Sequence, residues 1–283
     1  MRVAILGCGP TGLFAAHACA EAKIRFDIFS KKRKSELFGS QYLHEPVPGI
    51  MDYTEGEQVR YVNIGTPEQY RRKTHGKYWD GIIAPEDFET EHIAWNIREA
   101  YDRLWRAYAD QIHDYEISTR FDAEGKIDFD RKHPYWRVAY DLDINDYDLV
   151  VSTVPRNIWA TEREEYIYST GWALGDAPEK GIFVPIQATD MTIECNGDPG
   201  VPYNRLSKVF GYTTMEWPAH SPKPDGASML IKPLKYKKPI LDVNPADDER
   251  WLHVGRYGQW QKGIVTTDAY KSVSRQLAKL LRG

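Results

Sequence analysis

The chain has 283 residues, which is enough for one large or two small domains. Hydrophobic residues make up 42% of it and charged residues 28%, and these values exclude disorder, collagen and coiled coil as descriptions of the whole chain. The chain has 37 Lys and Arg residues and 41 Asp and Glu residues, which gives a net charge of −4. This charge excludes a polycation that binds nucleic acid through its overall charge.

The N-terminal segment has the pattern of a strand–helix–strand unit. The continuous apolar run Val3–Leu6 predicts a buried strand, and the Ala- and Leu-rich segment Leu13–Lys23 predicts a helix. A second strand is predicted at Ile24–Phe29. Elements in this order and at this spacing indicate a βαβ unit with a right-handed crossover.

The next segment, Lys31–Gly56, shows little periodicity. We expect an ordered loop there, because long structureless loops are uncommon in compact domains. From Pro85 to about Ile112, apolar and aromatic residues recur every three or four positions, which predicts a helix. Its aromatic residues, Tyr101 among them, are expected to lie in the core.

Strand patterns follow from Tyr115 onward. Alternating residues predict strands at 115–121, 127–130 and 135–142. The nearly continuous apolar run Asp148–Val154 predicts a strand buried on both faces.

The last 120 or so residues form two different regions by composition. Residues 161–250 are rich in Pro and Tyr, with strand signals at Gly181–Ile186, Leu206–Tyr212 and Ser228–Ile231, and we expect a second lobe. The chain then ends with a predicted strand at Trp251–Val254 and a helix from about Thr266 to Leu281.

The turn between the first strand and the first helix carries a glycine motif, Gly7-x-Gly9-x-x-Gly12. In a dinucleotide fingerprint the first glycine allows the tight turn, the second lets the backbone approach a pyrophosphate, and the third lets the helix pack on the strand. The start of the helix, with Pro10 and Thr11, supplies N–H groups to the phosphates. The motif therefore predicts a nucleotide site.

The acidic residue expected to bind the ribose is missing from the end of the second strand. Ser30 and Lys31 stand there instead, followed by Lys32, Arg33 and Lys34. A serine binds a ribose hydroxyl weakly, whereas a lysine can neutralise a phosphate. Three interpretations follow: an FAD site with altered ribose contacts, an NADP site, or a solvated run of charges.

The C-terminal segment Val254–Ile264 resembles the second FAD motif of flavoproteins in the amine oxidase and UDP-galactopyranose mutase superfamily. Asp148–Pro155 is similar to their strand that returns from a β-meander, and Leu37–Ser40 stands where they carry a glycine pair. The resemblance implies an α/β fold: a Rossmann-type FAD-binding domain with a β-meander and a smaller inserted α+β substrate lobe. It implies a FAD-binding domain over 1–56, 113–160 and 250–283, a helical insertion over 57–112 and a substrate lobe over 161–249.

The resemblance also implies FAD as the cofactor. Arg256 would point at the FAD phosphates, and the N-terminus of the last helix, around Ile264–Thr267, would point at the flavin and stabilise its reduced form. The residues expected to contact the cofactor are Gly7, Gly9, Pro10, Thr11, Gly12, Ser30, Lys31, Gly39, Ser40, Gly255, Arg256, Gly263, Ile264 and Val265.

No pair of residues is evident as a catalytic acid and base. His44 lies in the loop that often reaches the flavin in this superfamily, and Tyr257 and Trp260 are candidates to stack near the ring. Tyr203 and Arg205 resemble the aromatic–arginine segment by which the mutases hold a diphosphate; a surface salt bridge is the alternative for Arg205.

The lysines, the histidines, the cysteines and the apolar runs each bear on the ligands and the cellular location expected for the protein. The lysines of Lys232–Pro239 would steer a phosphate-bearing substrate or form an exposed strand edge. Neither the eight histidines nor the three cysteines have metal-site spacing, and the cysteine count predicts a reducing, cytoplasmic compartment. No apolar run approaches the ~20 residues of a membrane span, so no membrane partner is expected.

The function predicted on these grounds is an FAD-dependent oxidoreductase that oxidises an amine or amino-acid-like C–N bond by hydride transfer to flavin. One alternative is a non-redox flavoenzyme of the sugar-nucleotide mutase kind. Another is a flavoenzyme that modifies a nucleotide or a nucleic-acid-linked substrate. A nucleotide-binding regulator without turnover is the alternative outside enzymes. The expected partner is a small-molecule substrate. If that substrate bears a phosphate, the lysines of Lys232–Pro239 would attract it.

Overall fold

The structure is a computed structural model that describes residues 1–76, 81, 90–114, 146–155, 168–221, 233–239, 250–261 and 263–282. Its helices are α1 (Pro10–Glu21), α2 (Pro67–His75), α3 (Ile97–Tyr108), α4 (Gly255–Gln259) and α5 (Asp268–Leu280). Its strands are β1 (Arg2–Leu6), β2 (Arg25–Ser30), β3 (Glu57–Ile64), β4 (Glu91–Ala94), β5 (Ile112–Asp114), β6 (Leu149–Ser152), β7 (Tyr168–Gly175), β8 (Thr192–Asn196), β9 (Arg205–Val209), β10 (Tyr212–Pro218), β11 (Leu234–Pro239) and β12 (Trp251–His253). None of these helices is long and apolar enough to cross a membrane.

The first sheet contains five parallel strands in the order β12-β6-β1-β2-β5. The predicted βαβ unit is confirmed as β1, α1 and β2, and both ends of the chain belong to this sheet. From β1 the chain first adds β2 and β5 on one side and then β6 and β12 on the other, so the strand order reverses between β1 and β6. In open α/β sheets, ligands bind outside the carboxyl ends of the strands at such a switch point. The glycine turn leaves β1 at that position.

The second sheet contains seven strands in the order β11-β7-β10-β9-β8-β3-β4. All its pairs are antiparallel except β3 with β8, which is parallel. The lysine-rich strand β11 lies at one edge, where charged side chains discourage pairing with another chain. The predicted α/β fold class, with a Rossmann-type sheet and a further sheet-containing lobe, is confirmed in this architecture.

The helix predicted from Pro85 begins later in the structure. Residues 82–89 lie outside the described residues, and 91–94 form β4, which pairs with β3. Helix α3 starts at Ile97, because the side chain of Asn96 accepts hydrogen bonds from the backbone N–H groups of Arg98 and Glu99 and so caps the helix. The range 57–112, predicted to be helical, therefore contains two strands of the second sheet as well as α2 and α3.

Two strand predictions in the second lobe were also inaccurate. In the range 206–212 the strand is confirmed only as far as Val209, the end of β9, because Phe210 and Gly211 both have positive φ and form a hairpin turn that leads to Tyr212, the first residue of β10. The range 181–186 is a loop with one isolated bridge, from Ala177 to Ile182. The carboxylate of Asp176 holds it by accepting from the N–H of Val184 at 2.6 Å. The strands predicted at 115–121, 127–130, 135–142 and 228–231, and with them the β-meander, lie outside the described residues.

Arg98 of α3 holds the long loop that follows β2. This buried side chain donates to the carbonyl oxygens of Leu37 at 2.9 Å and Gly39 at 2.7 Å. Its guanidinium also lies 3.7 Å from the ring centroid of Tyr212 in the second sheet. Because a buried cation is costly without such partners, the loop, α3 and the second sheet are tied together at this residue.

Tyr101 lies one turn further along α3 and joins the same loop to the glycine turn. Its hydroxyl donates to the carbonyl oxygen of Cys8 at 2.8 Å and accepts from the N–H of Ser35 at 2.9 Å. The side chain is 1% exposed, as its predicted core position requires. A core aromatic thus also fixes the relative positions of two backbone segments near the nucleotide turn.

We expect Tyr101→Phe to lower the free energy of unfolding by about 1–3 kcal/mol, because it leaves the buried carbonyl of Cys8 and the partly buried N–H of Ser35 without their partner. Urea denaturation measures this loss. Tyr53→Phe is the matched control, since Tyr53 is 80% exposed and its change should leave stability unaltered. Equal stability of the two variants would contradict the structural role of the Tyr101 hydroxyl.

A charged network stabilises the other face of the parallel sheet. Asp27 accepts hydrogen bonds from Arg2 Nε at 2.9 Å, His113 Nε2 at 3.0 Å and the Tyr147 hydroxyl at 3.0 Å. Burial raises the pKa of the Asp27 carboxyl, but the hydrogen bonds from His113, Tyr147 and Arg2 outweigh it and hold that pKa below its ordinary value. The ionised form is therefore the one that the fold stabilises.

Because the pKa of Asp27 is lower in the folded state than the value of about 3.9 in an unfolded chain, its contribution to stability is complete well above pH 4 and is lost as pH falls through the folded-state pKa. We expect Asp27→Asn to cost about 1.5–3 kcal/mol at pH 7 and to reduce the loss of stability on acidification. Urea denaturation from pH 7 to 3 tests this, with Asp110→Asn, at an exposed position, as the control. An unchanged acid dependence would refute the assignment.

Candidate functional site

The glycine turn after β1 has the geometry that a dinucleotide fingerprint requires. Gly7 has φ +108°, and a Cβ there would lie 2.2 Å from Thr153 Oγ1, at the end of β6. A Cβ on Gly12 would lie 2.0 Å from the carbonyl oxygen of Gly7. These two glycines are therefore required by the protein itself, for the turn and for the packing of α1 on β1.

Gly9 is different, because the protein does not require a glycine there. Its φ is −65°, which any residue adopts, and the nearest atom to an added Cβ is Ser35 Oγ at an ordinary 3.6 Å. Gly9 is the N-cap of α1, no side chain caps that helix, and its first turn has no acidic residue. The space beside Gly9 is thus open at a helix N-terminus that favours an anion.

The segment after β2 forms the basic side of this turn. Ser30 is half-buried at the end of β2, and the following residues Lys31, Lys32 and Arg33 line an open pocket of about 500 Å³ together with Asp114. The Cys8 thiol, inside the glycine motif, donates to the carbonyl oxygens of Lys31 at 3.5 Å and Arg33 at 3.6 Å. Among these pocket-lining residues only Asp114 is acidic, and its carboxylate accepts from the N–H of Lys32.

The second motif meets the first in space. Gly255 has φ +79°, and a Cβ there would lie 2.7 Å from the side chain of Thr11. A Cβ on Gly258 would lie 3.0 Å from the carbonyl oxygen of Ser152, at the end of β6. The short helix α4 therefore covers the switch point of the sheet, beside the glycine turn.

The residues after α4 lead to the start of α5. Arg256 Nε donates to the carbonyl oxygen of Ile264 at 3.3 Å, and Gly263 has φ +80°. The carboxylate of Asp268 accepts from the N–H of Val265, so one amide near this helix end is already engaged and a negative charge lies beside it. That charge partly offsets the positive dipole end predicted to face a flavin.

A buried hydroxyl lies at the same helix end. Thr267 is 4% exposed, and no residue that the structure describes forms a hydrogen bond with its Oγ1. Buried hydroxyls are normally satisfied, by protein or by a bound molecule. This atom therefore marks a position at which a polar ligand atom would be stabilised.

Two residues predicted to bind the cofactor have another role in the structure. Gly39 has φ +64° and contacts Thr214, whose Oγ1 accepts from the N–H of Ser40 at 2.7 Å. The hydroxyl of Ser40 also hydrogen-bonds to Ser207. These contacts attach the loop to β9 and β10 of the second sheet.

His44 and Tyr257 lie between the two sheets. His44 is reached by solvent, yet desolvation lowers its pKa, followed by repulsion from His92, Arg205 and Arg256. Tyr257 is 41% exposed, and desolvation raises its pKa, with a smaller increase from the charge of Glu216. The charges of Arg205 and Arg256 act on His44, and the charges of Arg256 and Glu216 act on Tyr257, so we refer to His44, Tyr257, Arg205 and Glu216 together as the inter-sheet cleft.

The strand register places Arg205 in this cleft but not Tyr203. Arg205 lies directly opposite Cys195 on β8 and Glu216 on β10. The Tyr203 hydroxyl donates at 2.6 Å to Glu194, which precedes Cys195 on β8. Because successive side chains of a strand point to opposite faces, the side chain of Glu194 lies on the face of the sheet opposite to that of Cys195 and Arg205. The aromatic–arginine pair predicted from sequence is therefore divided between two faces.

Trp260 is a core residue in this structure. It is 2% exposed, ends α4 with φ +52° and lies 6.4 Å from the Tyr257 ring. It offers a ligand no accessible ring face, whereas Tyr257 does. The described residues also contain no group of three His, Cys, Asp or Glu side chains suited to a metal ion.

Comparison with known proteins gives structural but not sequence relatives. No protein-family model and no curated protein matches the chain. Its fold is similar to a flavoprotein/dehydrogenase from Cytophaga hutchinsonii, with a TM-score of 0.55 and 11% identity over 100% of this chain and 79% of that one. The chain has a flavoprotein fold.

Two further structures agree. 2,6-Dihydroxypyridine-3-hydroxylase from Arthrobacter nicotinovorans has a TM-score of 0.53 and 11% identity over 99% of this chain and 83% of that one. BrvH, a flavin-dependent halogenase from Brevundimonas sp. BAL3, has a TM-score of 0.54 and 11% identity over 99% and 71%. The predicted resemblance is thus confirmed at the level of the flavoprotein fold, and these two neighbours are a hydroxylase and a halogenase rather than amine oxidases or mutases.

Several residues that shape the site are recognisable only in the structure. Arg98 and Glu216 lie in no motif, and Thr153 lies in the Asp148–Pro155 run without being distinguished there; the importance of all three follows from contacts with distant segments. Arg98 carried a weak signal, because it is a charged residue on the apolar side of a predicted helix.

We expect Gly9 and Gly12 to separate ligand binding from folding. Gly9→Glu should leave the free energy of unfolding within about 0.5 kcal/mol of wild type, because nothing in the protein occupies that space, and should abolish FAD binding by filling the approach to the pyrophosphate. Gly12→Ala should lower stability by about 1–3 kcal/mol through overpacking.

Urea denaturation and flavin absorbance retained through gel filtration measure the two effects. If Gly9→Glu unfolds the protein, or if it still retains FAD at the wild-type ratio, the open space beside Gly9 is not the pyrophosphate site. Gly12→Ala serves as the control for a glycine that the fold itself requires.

Proposed function

We propose that the protein is an FAD-dependent oxidoreductase whose glycine turn binds the FAD pyrophosphate. The observation that carries this proposal is Gly9: a glycine that the fold does not need, beside open space at an uncapped helix N-terminus. The named flavoprotein, hydroxylase and halogenase among the structural neighbours support a flavin as the ligand.

The residues around the turn fit that cofactor. The amides of the first turn of α1 would receive the pyrophosphate, Arg256 would supply a positive charge, and the buried hydroxyl of Thr267 would gain a partner. Ser30 would contact the ribose, with Lys31 beside it in place of the usual acid. When bound, FAD supplies the capacity to accept a hydride from the substrate.

The inter-sheet cleft supplies a proton acceptor. Because its pKa is lowered, His44 is neutral at pH 7, so its imidazole is able to take a proton from a substrate ammonium group. This feature supports the oxidation of an amine or amino-acid-like C–N bond, in which His44 would take the proton that the substrate releases.

Hydroxylation is the second candidate. It is favoured by the two neighbours that are a hydroxylase and a halogenase, and by the basic pocket of Lys31, Lys32 and Arg33, which suits the phosphates of a nicotinamide nucleotide. That reaction consumes dioxygen and a reduced nicotinamide, whereas amine oxidation takes its electrons from the substrate. The source of electrons therefore separates the two functions.

The absorption spectrum of the purified protein tests the cofactor first. A yellow protein with flavin absorption supports the proposal, and a colourless protein that binds NADPH but not FAD refutes it. Anaerobic addition of a panel of amines and amino acids then tests the reaction. Bleaching without nicotinamide supports C–N oxidation, and bleaching by NADPH alone favours the hydroxylase.

We expect His44→Gln to lower kcat/KM for the amine about 10²–10⁴-fold, because the proton acceptor is lost. In the wild type the rate should fall as pH drops below the lowered pKa of His44, since the protonated ring accepts no proton. His92→Gln is the control for the loss of a nearby histidine. A His44→Gln variant with the wild-type rate and acid limb would exclude His44 as the base.

A further inference from the structure

Arg205 is a cation for which the structure provides no partner. Among the described residues, none forms a hydrogen bond or an ion pair with its guanidinium. Its Nε is buried as well as unpartnered, while the terminal nitrogens are not among the buried unpartnered atoms. Arginine remains protonated at any physiological pH, so this half-buried side chain always carries its charge.

The surroundings of Arg205 are protein rather than bulk water. Desolvation lowers the pKa of Arg205, but the nearby groups Tyr61, Glu216, Tyr70 and Cys195 outweigh it and raise that pKa. None of them approaches within ion-pair distance, although Glu216 lies directly opposite on β10. The surroundings therefore favour the cation without giving its guanidinium a hydrogen-bonded acceptor, and a bound anion would supply that acceptor.

The face of the sheet on which Arg205 lies is the face that points toward the nucleotide-binding part of the molecule. Arg205 and Ser207 are two residues apart on β9 and therefore share a face. Ser207 contacts Ser40 of the loop that leads to His44. The charge of Arg205 also reaches His44 and Tyr42, whose rings lie 4.7 Å apart in that loop.

We propose that Arg205 anchors the carboxylate of a small, singly charged organic acid in the inter-sheet cleft. The planar guanidinium matches a carboxylate with two parallel hydrogen bonds. Glu216 beside it opposes a second negative charge, so a dianion such as a phosphate ester or a dicarboxylate is disfavoured. This inference deepens the proposed function, because it names the group by which the substrate is held.

The stability of variants distinguishes a binding residue from a structural one. An arginine that holds the fold together through its own hydrogen bonds destabilises the protein when it is removed, whereas an arginine without such bonds does not. We therefore expect Arg205→Met to unfold at a urea midpoint close to that of wild type. Lys208→Met, which removes a cation from the same strand but from the other face, is the matched control.

Binding is measured with named probes on the full chain. Acetate, benzoate, pyruvate and L-alanine should each raise the thermal midpoint of wild type by about 2 °C or more at saturation, while inorganic phosphate and succinate should not. The shift should vanish in Arg205→Met and persist in Lys208→Met. Arg205→Lys, which keeps the charge but loses the planar fork, should weaken binding at least about tenfold.

Three results would contradict the carboxylate site at Arg205. A strong loss of stability in Arg205→Met, carboxylate shifts that survive in that variant, or equal shifts with phosphate would each overturn the proposal. If Arg205→Met does not fold, Arg205→Lys with unchanged carboxylate affinity has the same force. Because the shifts are measured without added flavin, a colourless protein that still binds carboxylates refutes the proposed cofactor and leaves the anion site standing.

Discussion

The arrangement of the whole site depends on the way in which α3 satisfies buried polar groups of a distant loop. Tyr101 and Arg98 bring three backbone carbonyls and one amide into hydrogen bonds within the core. The loop has no helix or strand of its own to satisfy those groups, and leaving them unpaired in the interior would be costly. As a consequence the glycine turn, the basic segment and the linker to the second sheet are all positioned by one helix.

That constraint explains how two sheets with separate cores are held together. The loop leaves β2 beside the glycine turn, passes Arg98, and attaches to β9 and β10 through Ser40. It then presents His44 between the sheets. The second motif returns from the C-terminus of the chain and packs Gly255 against Thr11. A nucleotide at the turn and a substrate on the second sheet would therefore face each other across residues fixed from both sides.

Two residues are better explained by a ligand than by the fold. Gly9 fills no tight space and has an ordinary φ, so its lack of a side chain is of no use to the protein alone. Arg205 is a half-buried cation with which no described residue forms a hydrogen bond. Most residues of a folded chain improve packing or hydrogen bonding, and exceptions are expected at functional sites. The proposals for the two ends of the site therefore rest on Gly9 and Arg205.

The features of this protein that depend on short-range pattern could be predicted from its sequence. The βαβ unit, the roles of Gly7 and Gly12 and the final helix follow from apolar runs and glycine spacing, because each involves neighbours within about 30 residues. Other features depend on contacts between distant segments. The register of β8, β9 and β10 separates Tyr203 from Arg205 and brings Glu216 opposite the arginine. The cap at Asn96 moves the start of α3, and the second sheet takes up Gly39 and Ser40. Strand parity and contacts between distant segments leave no local signature in the sequence, since each depends on a partner that is far away along the chain.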